Sequence, residues 1–438
     1  MSAEGRVPAS AELRSVAPRG GLLLVYHVGP GESWVFIVPP QGRIEALPLT
    51  IGANDAAVLG AASGPLTESA LERIITGDTR AGGEHLPGIA DLLGGMPTGG
   101  YVALGMRAAT GPDSFELRMH ALWRTLVPTP LWKRVARARS AVVIPDAALH
   151  LVAFEALVTR PRAAGARDGT RYWIDDGPAL TYGPSATALA GIARRPRAPS
   201  DRFANQPVLS VSNVAFAADP SASAPPAEDP TRGTLVLRGR RWSPLPGTAQ
   251  ETDAIRSAFG PGRVTVLEGT KAGERAVCGA ITRHRYVHLA THGFVEPQGS
   301  RLVAGLVFAA PSGAVTSSDD DGMLELFEIH RLAVACDLAV LSACETARGS
   351  RVAGEGTFAL SRGFLAAGAR RVVASLWAVG DRPTAAIVGS LFTSIAAAGK
   401  RGAEPDVATE LRDAKLRVRR DPRWADPFHW APFVVSGL

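Results

Sequence analysis

The sequence predicts an α/β fold of three layers, α/β/α, around a mainly parallel sheet and organised as two halves. Three observations carry this. Short continuous apolar runs, such as residues 141–144 and 338–341, read as strands buried on both faces. From residue 248 onward such runs alternate with longer helix-like segments, the rhythm of parallel strands joined by helices. The chain has 438 residues, more than one ordinary domain requires.

Taken in order, residues 1–20 are rich in Pro, Ala and Arg and read as a loose arm. "GLLLVYHVGPGESWVFIVPPQGRIEALPL" reads as a β-meander, with turns at Gly29-Pro30-Gly31 and Pro39-Pro40-Gln41-Gly42. Residues 53–76 have helical spacing and 82–100 form a Gly-rich connector. Residues 114–138 are helical in spacing but interrupted by Pro128 and Pro130. Strands follow at 141–144, in "RYWIDDGPALTY" before a helix capped near Ser185, and in "QPVLSVSNVAF". Residues 217–233, "AADPSASAPPAEDPTRG", are the best linker in the chain and open to proteolysis. Beyond it, Thr248 with Glu251 has the form of a capping box opening a helix. The strands "RVTVLEG", "YVHLATHG", "GLVFAAP", "CDLAVLSAC" and "RRVVASLWAV" then alternate with helices, one closed by Gly368 and one opened near Pro383. These features divide the chain into an arm (1–20), an N-terminal half (21–216), a linker (217–233) and a C-terminal half (234–438).

Composition narrows the function. Apolar residues make up 46% of the chain, enough for a sizeable core. No run of about 18 apolar residues is present, so no membrane-spanning helix is expected, and the first residues lack an apolar signal core. Three cysteines, Cys278, Cys336 and Cys344, fit a reducing compartment and a cytoplasmic protein rather than a disulfide framework. Without a C-x-x-C pair no structural zinc is expected, and no metal or cofactor is assigned. The net charge of +6 comes from arginines scattered along the chain, in short clusters without aromatic platforms, which argues against direct nucleic-acid contact. "SSDDDG" (317–322) lacks the alternating acids of a calcium loop. "GEGTFALSRG" lacks the Gly-Lys-Ser/Thr of a phosphate loop.

In open α/β sheets functional residues gather at the carboxyl ends of strands. Two such ends carry chemistry: Thr291-His292-Gly293 and Ser342-Ala343-Cys344. His292 stands about 50 residues upstream of Cys344, the caspase-type order. An adjacent imidazole lowers a thiol's pKa or takes its proton during attack. Backbone N–H groups of Gly293 and Cys344 are candidates for an oxyanion hole. The competing reading for Cys344 is a small buried residue, the reading that suits Cys278 and Cys336. His288, inside an apolar run, reads as a core histidine.

Residues 236–437 resemble the CHAT family, the caspase-like domain related to separase. "SPLPGTAQETDAI", "VHLATHG", "GLVFAAP", "DGMLELFEI", "DLAVLSACETARG", "GEGTFALSRGFLAAGARRVVASLWAVGDRPT" and "FHWAPFVVSG" carry the resemblance in order. "GLLLVYHVG", "AVVIPDAALHLVAFEAL" and "LTYGPSATAL" resemble the non-catalytic half of such proteins. The resemblance implies a caspase-like fold with an N-terminal pseudo-protease half. It implies cysteine endopeptidase chemistry with His292 as general base and Cys344 as nucleophile. It also places Asp381, the acid ending "SLWAVGD", near the pocket for the residue before the scissile bond, with Trp377 a candidate for its lining; the competing readings are a helix N-cap for Asp381, before Arg382-Pro383, and core packing for Trp377. A carboxylate there favours Arg or Lys. For partners it implies a protein substrate, such as a gasdermin-like effector in a bacterial defence or cell-death circuit, and control by a partner protein, a ligand or processing. The alternatives are a silent scaffold or sensor and a thioester-type hydrolase. No 34-residue TPR period is evident in the chain.

Overall fold

The computed structural model describes residues 9–79, 85–94, 112–162, 169–196, 207–216, 235–237, 240–298, 301–309, 320–343 and 350–438. By contacts the chain divides into two units. One comprises Met1–Pro196, Arg348–Glu355 and Asp426–Leu438, the other Arg197–Ala347 and Gly356–Ala425. The linker predicted at 217–233 lies outside the described residues.

In the first unit β1 (Leu22–Val28), β2 (Ser33–Val38) and β3 (Glu45–Ile51) form the expected antiparallel meander. Pro128 separates the helices α1 (Pro112–Leu126) and α2 (Thr129–Val135), because a proline inside one helix would remove a donor and clash with the preceding turn. β4 (Ser140–Ile144) and β5 (Ala179–Tyr182) continue the sheet in parallel from β1. The Ser185 hydroxyl accepts the Ala188 N–H at 3.1 Å and caps α3 (Ala186–Arg194). Residues 89–94, within the stretch read as a connector, form a short helix.

The second unit is built on five parallel strands: β6 (Val208–Val214), β7 (Val264–Gly269), β8 (Tyr286–Leu289), β12 (Leu338–Leu341) and β13 (Arg371–Ser375). Their order is β7-β6-β8-β12-β13. β8 and β12 are buried at every position, which accounts for their unbroken apolar sequences. Between them an antiparallel set, β9 (His292–Gln298), β10 (Arg301–Val307) and β11 (Met323–Glu325), stands apart from the parallel sheet. The main helices are α4 (Thr248–Phe259), α5 (Glu274–Ile281) and α7 (Asp381–Lys400), with α6 (Ser350–Ala367) running between the units' segments. α4 packs on α7 and over β6. Gly368 ends α6 with φ +130°, and a Cβ there would fall 1.9 Å from the Val334 carbonyl oxygen, so only glycine fits. The last strand, β14 (Phe433–Gly437), belongs to the first unit and pairs in parallel with β5, Tyr182 opposite Ser436. Both units are thus mixed α/β: the second has the parallel core that the alternating pattern predicts, and the first joins parallel strands to the antiparallel meander.

Two local readings change. "YVHLATHG" is not one strand. β8 stops at Leu289, the Ala290 N–H donates to the Val211 carbonyl at 2.8 Å, and the Thr291 hydroxyl donates to the Val307 carbonyl. The chain is thereby turned out of the parallel sheet, and His292 opens β9. The Thr248–Glu251 capping box does not form either. Gly247 holds the N-cap of α4, and Glu251 is drawn inward to a histidine.

Glu274, the first residue of α5, is 2% exposed and accepts the Gly322 N–H at 2.9 Å. Burial, reinforced by Glu328, Asp321 and Asp320, pushes its carboxyl up to about 7. A folded-state pKa above the unfolded value of 4.5 gives stability that is complete below about pH 4.5 and is lost as pH rises through about 7. Glu274→Gln should therefore flatten the decline in unfolding free energy between about pH 5 and pH 8. Denaturant titrations across that window check this; parallel profiles for the two proteins would contradict it.

Candidate active site

The site begins with the sheet ladder. β8 and β12 are adjacent, Leu289 opposite Leu341, and the Ser342 N–H donates to the Leu289 carbonyl at 2.9 Å. The backbone leading to His292 and that leading to Cys344 are therefore fastened side by side. Cys344 itself lies outside the described residues. The other two cysteines are poor nucleophiles: burial pushes Cys336 and Cys278 each up to about 12.

His292 is half-buried. Its Nε2 lies 2.7 Å from the Ser243 carbonyl oxygen. A carbonyl only accepts, so this bond requires the proton on Nε2 and leaves the lone pair of the neutral ring on Nδ1. Phe216 and Trp242 flank the ring, with centroids at 5.0 and 5.3 Å. Burial holds the imidazole below its ordinary value, with the Ser243 hydrogen bond opposing that shift. At neutral pH the ring is thus an uncharged acceptor at Nδ1, as a general base must be. Gly293 follows in β9, opposite Leu306.

The bracing carbonyl belongs to the segment that opens α4, Trp242-Ser243-Pro244-Leu245-Pro246-Gly247. The Thr248 hydroxyl donates to the Leu245 carbonyl at 2.6 Å and accepts the Asn213 N–H at 2.8 Å, tying the segment to β6. One turn on, Glu251 Oε2 lies 2.9 Å from Nε2 of His288, both groups buried. Nδ1 of His288 lies 2.9 Å from the Ser210 hydroxyl, which is 2.8 Å from that of Thr252. His288 is indeed a core histidine, and it fixes α4 to the sheet four residues before His292.

Asp381 is the first residue of α7; Gly380, not Asp381, occupies the N-cap. Its exposed carboxylate makes no hydrogen bond or ion pair among the described residues. It lies against Gly247, where a Cβ would come within 2.1 Å of Oδ2 and 2.4 Å of the Asp381 Cβ. One short segment thus touches both His292 and Asp381. Trp377 is 9% exposed, and its carbonyl accepts the Ser375 hydroxyl at 2.5 Å. Sequence reasoning missed Phe216, Trp242, Ser243 and Gly247. The Ser243 contribution is a backbone atom and leaves no trace in residue type; the sole signal was "WSPLPG", a turn-forming run just before a helix.

The first unit repeats the ladder with other chemistry. The Gly183 N–H donates to the Val143 carbonyl at 2.8 Å, as Ser342 does to Leu289. Counting on from those bonds, Asp146 takes the place of His292 and Ser185 that of Cys344. Asp146 accepts the N–H groups of Val28 and Ala147, at 2.9 and 3.0 Å, and Ser185 caps α3. Both are engaged by backbone donors, and neither is a base–thiol pair.

Separase in the Saccharomyces cerevisiae separase–securin complex matches with a TM-score of 0.51 and 10% identity, over 98% of this chain and 30% of that one. Gingipain R, an Arg-specific cysteine proteinase, matches with a TM-score of 0.41 and 9% identity, over 71% of this chain and 68% of that one. Residues 117–438 match the CHAT domain family, and the chain belongs to that family. Tetratricopeptide repeat protein 28 of Mus musculus is 28% identical over 235 residues, and that of Homo sapiens 25%. The matched region is 48% of this chain and 9% of either relative. Among the described residues no helix is long and apolar enough to cross a membrane, and no cluster of His, Cys, Asp and Glu suits a metal ion.

Gly247→Ala should push the first turn of α7 away from α4, because the added carbon meets the carbon frame of Asp381 and not just its mobile oxygens. The expected result is a thermal midpoint lowered by several degrees, roughly the consequence of 1–3 kcal/mol of overpacking. An unchanged midpoint would show that the two helix starts are not in contact.

Proposed function

We propose that this chain is a caspase-like cysteine endopeptidase in which Cys344 is the nucleophile and His292 the general base. The observation that carries this is the Ser243–His292 hydrogen bond, which leaves Nδ1 as an acceptor on the segment next to the one that ends in Cys344. In the reaction the Cys344 thiol proton passes to Nδ1 as sulfur bonds to the scissile carbonyl carbon. The N–H groups of Gly293 and Cys344 stabilise the oxyanion. The tetrahedral intermediate collapses, the C–N bond breaks and the imidazolium proton leaves with the amine. Water then attacks the thioester, giving the acid and restoring the thiol.

Asp381 supplies the preference before the scissile bond, with Trp377 lining the approach. An exposed carboxylate without a partner among the described residues is placed to receive the guanidinium or ammonium of a substrate Arg or Lys. The first unit is the non-catalytic counterpart, consistent with Asp146 and Ser185 at its equivalent positions. Control falls to a partner protein, a ligand or cleavage within 217–233.

Cleavage of a peptide library tests the reading. Wild type should cut after basic residues, and Cys344→Ala and His292→Ala should lose at least about 100-fold in rate. Asp381→Ala should lose about 10- to 100-fold of the basic preference, the worth of one charge-assisted bond. Turnover of thioesters without peptide cleavage would replace the reading with a thioester hydrolase, and no turnover of either would replace it with a scaffold.

A further inference from the structure

Two aromatic side chains from separate stretches of the second unit close on one imidazole. Phe216 follows β6 and is 2% exposed; Trp242 ends the short strand Arg240–Trp242 and is 1% exposed. Their ring planes are inclined to that of His292 by 47° and 49°. Trp242 is itself backed by Phe294 of β9, edge-on at 6.3 Å. A core strand does not require this arrangement, because His292 is half-buried and the two largest groups around it are anchored elsewhere.

The physical consequence is specific. One hydrogen bond, from Nε2 to the Ser243 carbonyl, fixes one atom of the ring but lets the ring swing about that contact. Two bulky rings packed beside it, at centroid distances of 5.0 and 5.3 Å, restrict the swing. They also take water from the imidazole, which disfavours its charged form. The ring faces return part of that loss by cation–π attraction, so the net effect is a bias and not a block. We propose that Phe216 and Trp242 are positioning residues, an aromatic clamp that holds His292 in the Nε2–H tautomer with Nδ1 as the lone-pair nitrogen. This rests on the assignment of His292 as the general base and deepens it by naming what sets its tautomer and orientation. Neither ring is a catalytic residue; both act through His292.

The test reads the histidine directly. The full chain carrying Cys344→Ala is labelled with 15N-histidine, and His292 is assigned by difference from His292→Gln. In that background His292 should titrate below its ordinary value of 6.5 and show the Nε2–H signature throughout its neutral range. Trp242→Leu and Phe216→Leu should each raise the titration midpoint by roughly half a unit or more and mix the two tautomers. Trp242→Phe, which keeps a ring, should restore both. Thermal unfolding of each variant establishes that the fold persists. Should Trp242→Leu fail to fold, Phe216→Leu carries the same criterion. Folded leucine variants with an unchanged midpoint and tautomer would overturn the clamp. Because the readout needs no turnover, a chain without peptidase activity would sink the general-base assignment while leaving the clamp to stand or fall on its own spectrum.

Discussion

Everything proposed for this chain depends on one hydrogen bond, from the Nε2–H of His292 to the carbonyl oxygen of Ser243. A carbonyl cannot donate, so the bond selects a tautomer and pins one atom of the ring. The atom that makes it sits on a half-exposed segment, Trp242 to Gly247, with no strand or helix of its own to stiffen it after Trp242. Its rigidity is borrowed. Thr248 ties it to Asn213 in β6, and Glu251 carries the α4 helix down to His288 in β8. His288 and His292 are four residues apart, so β8, which leads into the segment that presents the base, also anchors the helix whose leading segment orients that base. Removing one partner of this buried hydrogen-bonded pair would leave the other unsatisfied, a cost of about 1–3 kcal/mol. The pair places the constraint next to the chemistry.

The same short segment reaches the second charge. Gly247 begins α4 and Asp381 begins α7, and the carboxylate lies against the glycine. A negative group at the start of one helix and beside the start of another gains from both macrodipoles, about 0.3–1 kcal/mol each. In the first unit the equivalent ladder positions hold Asp146 and Ser185, both occupied by backbone donors. The same architecture there serves local capping, so the fold alone does not create the chemistry.

Much of this was legible in the sequence. Residues 141–144 and 338–341 announced buried parallel strands because a strand covered on both faces needs apolar side chains at every position. His292 and Cys344 stood out because each follows such a run. What stayed hidden was whatever depends on backbone atoms or distant pairing. The break after Leu289 arises from bonds made by Ala290 and Thr291 to Val211 and Val307, partners 79 and 16 residues away in the chain, which no local pattern encodes. The Thr248–Glu251 spacing was a true helix start, but the tertiary pull of His288 outweighed the local cap. Phe216 and Trp242 carry no motif of their own, and only their convergence on one ring sets them apart.

The most direct test of the account is the rate at which Cys344 is labelled by a peptidyl electrophile with Arg before the reactive group, followed by intact-mass analysis. The account predicts that Cys344, and neither Cys278 nor Cys336, is modified. It also predicts that wild type reacts at least about 100-fold faster than His292→Ala, the contribution of a positioned general base. Equal rates in the two proteins, or modification spread over the three cysteines, would contradict it.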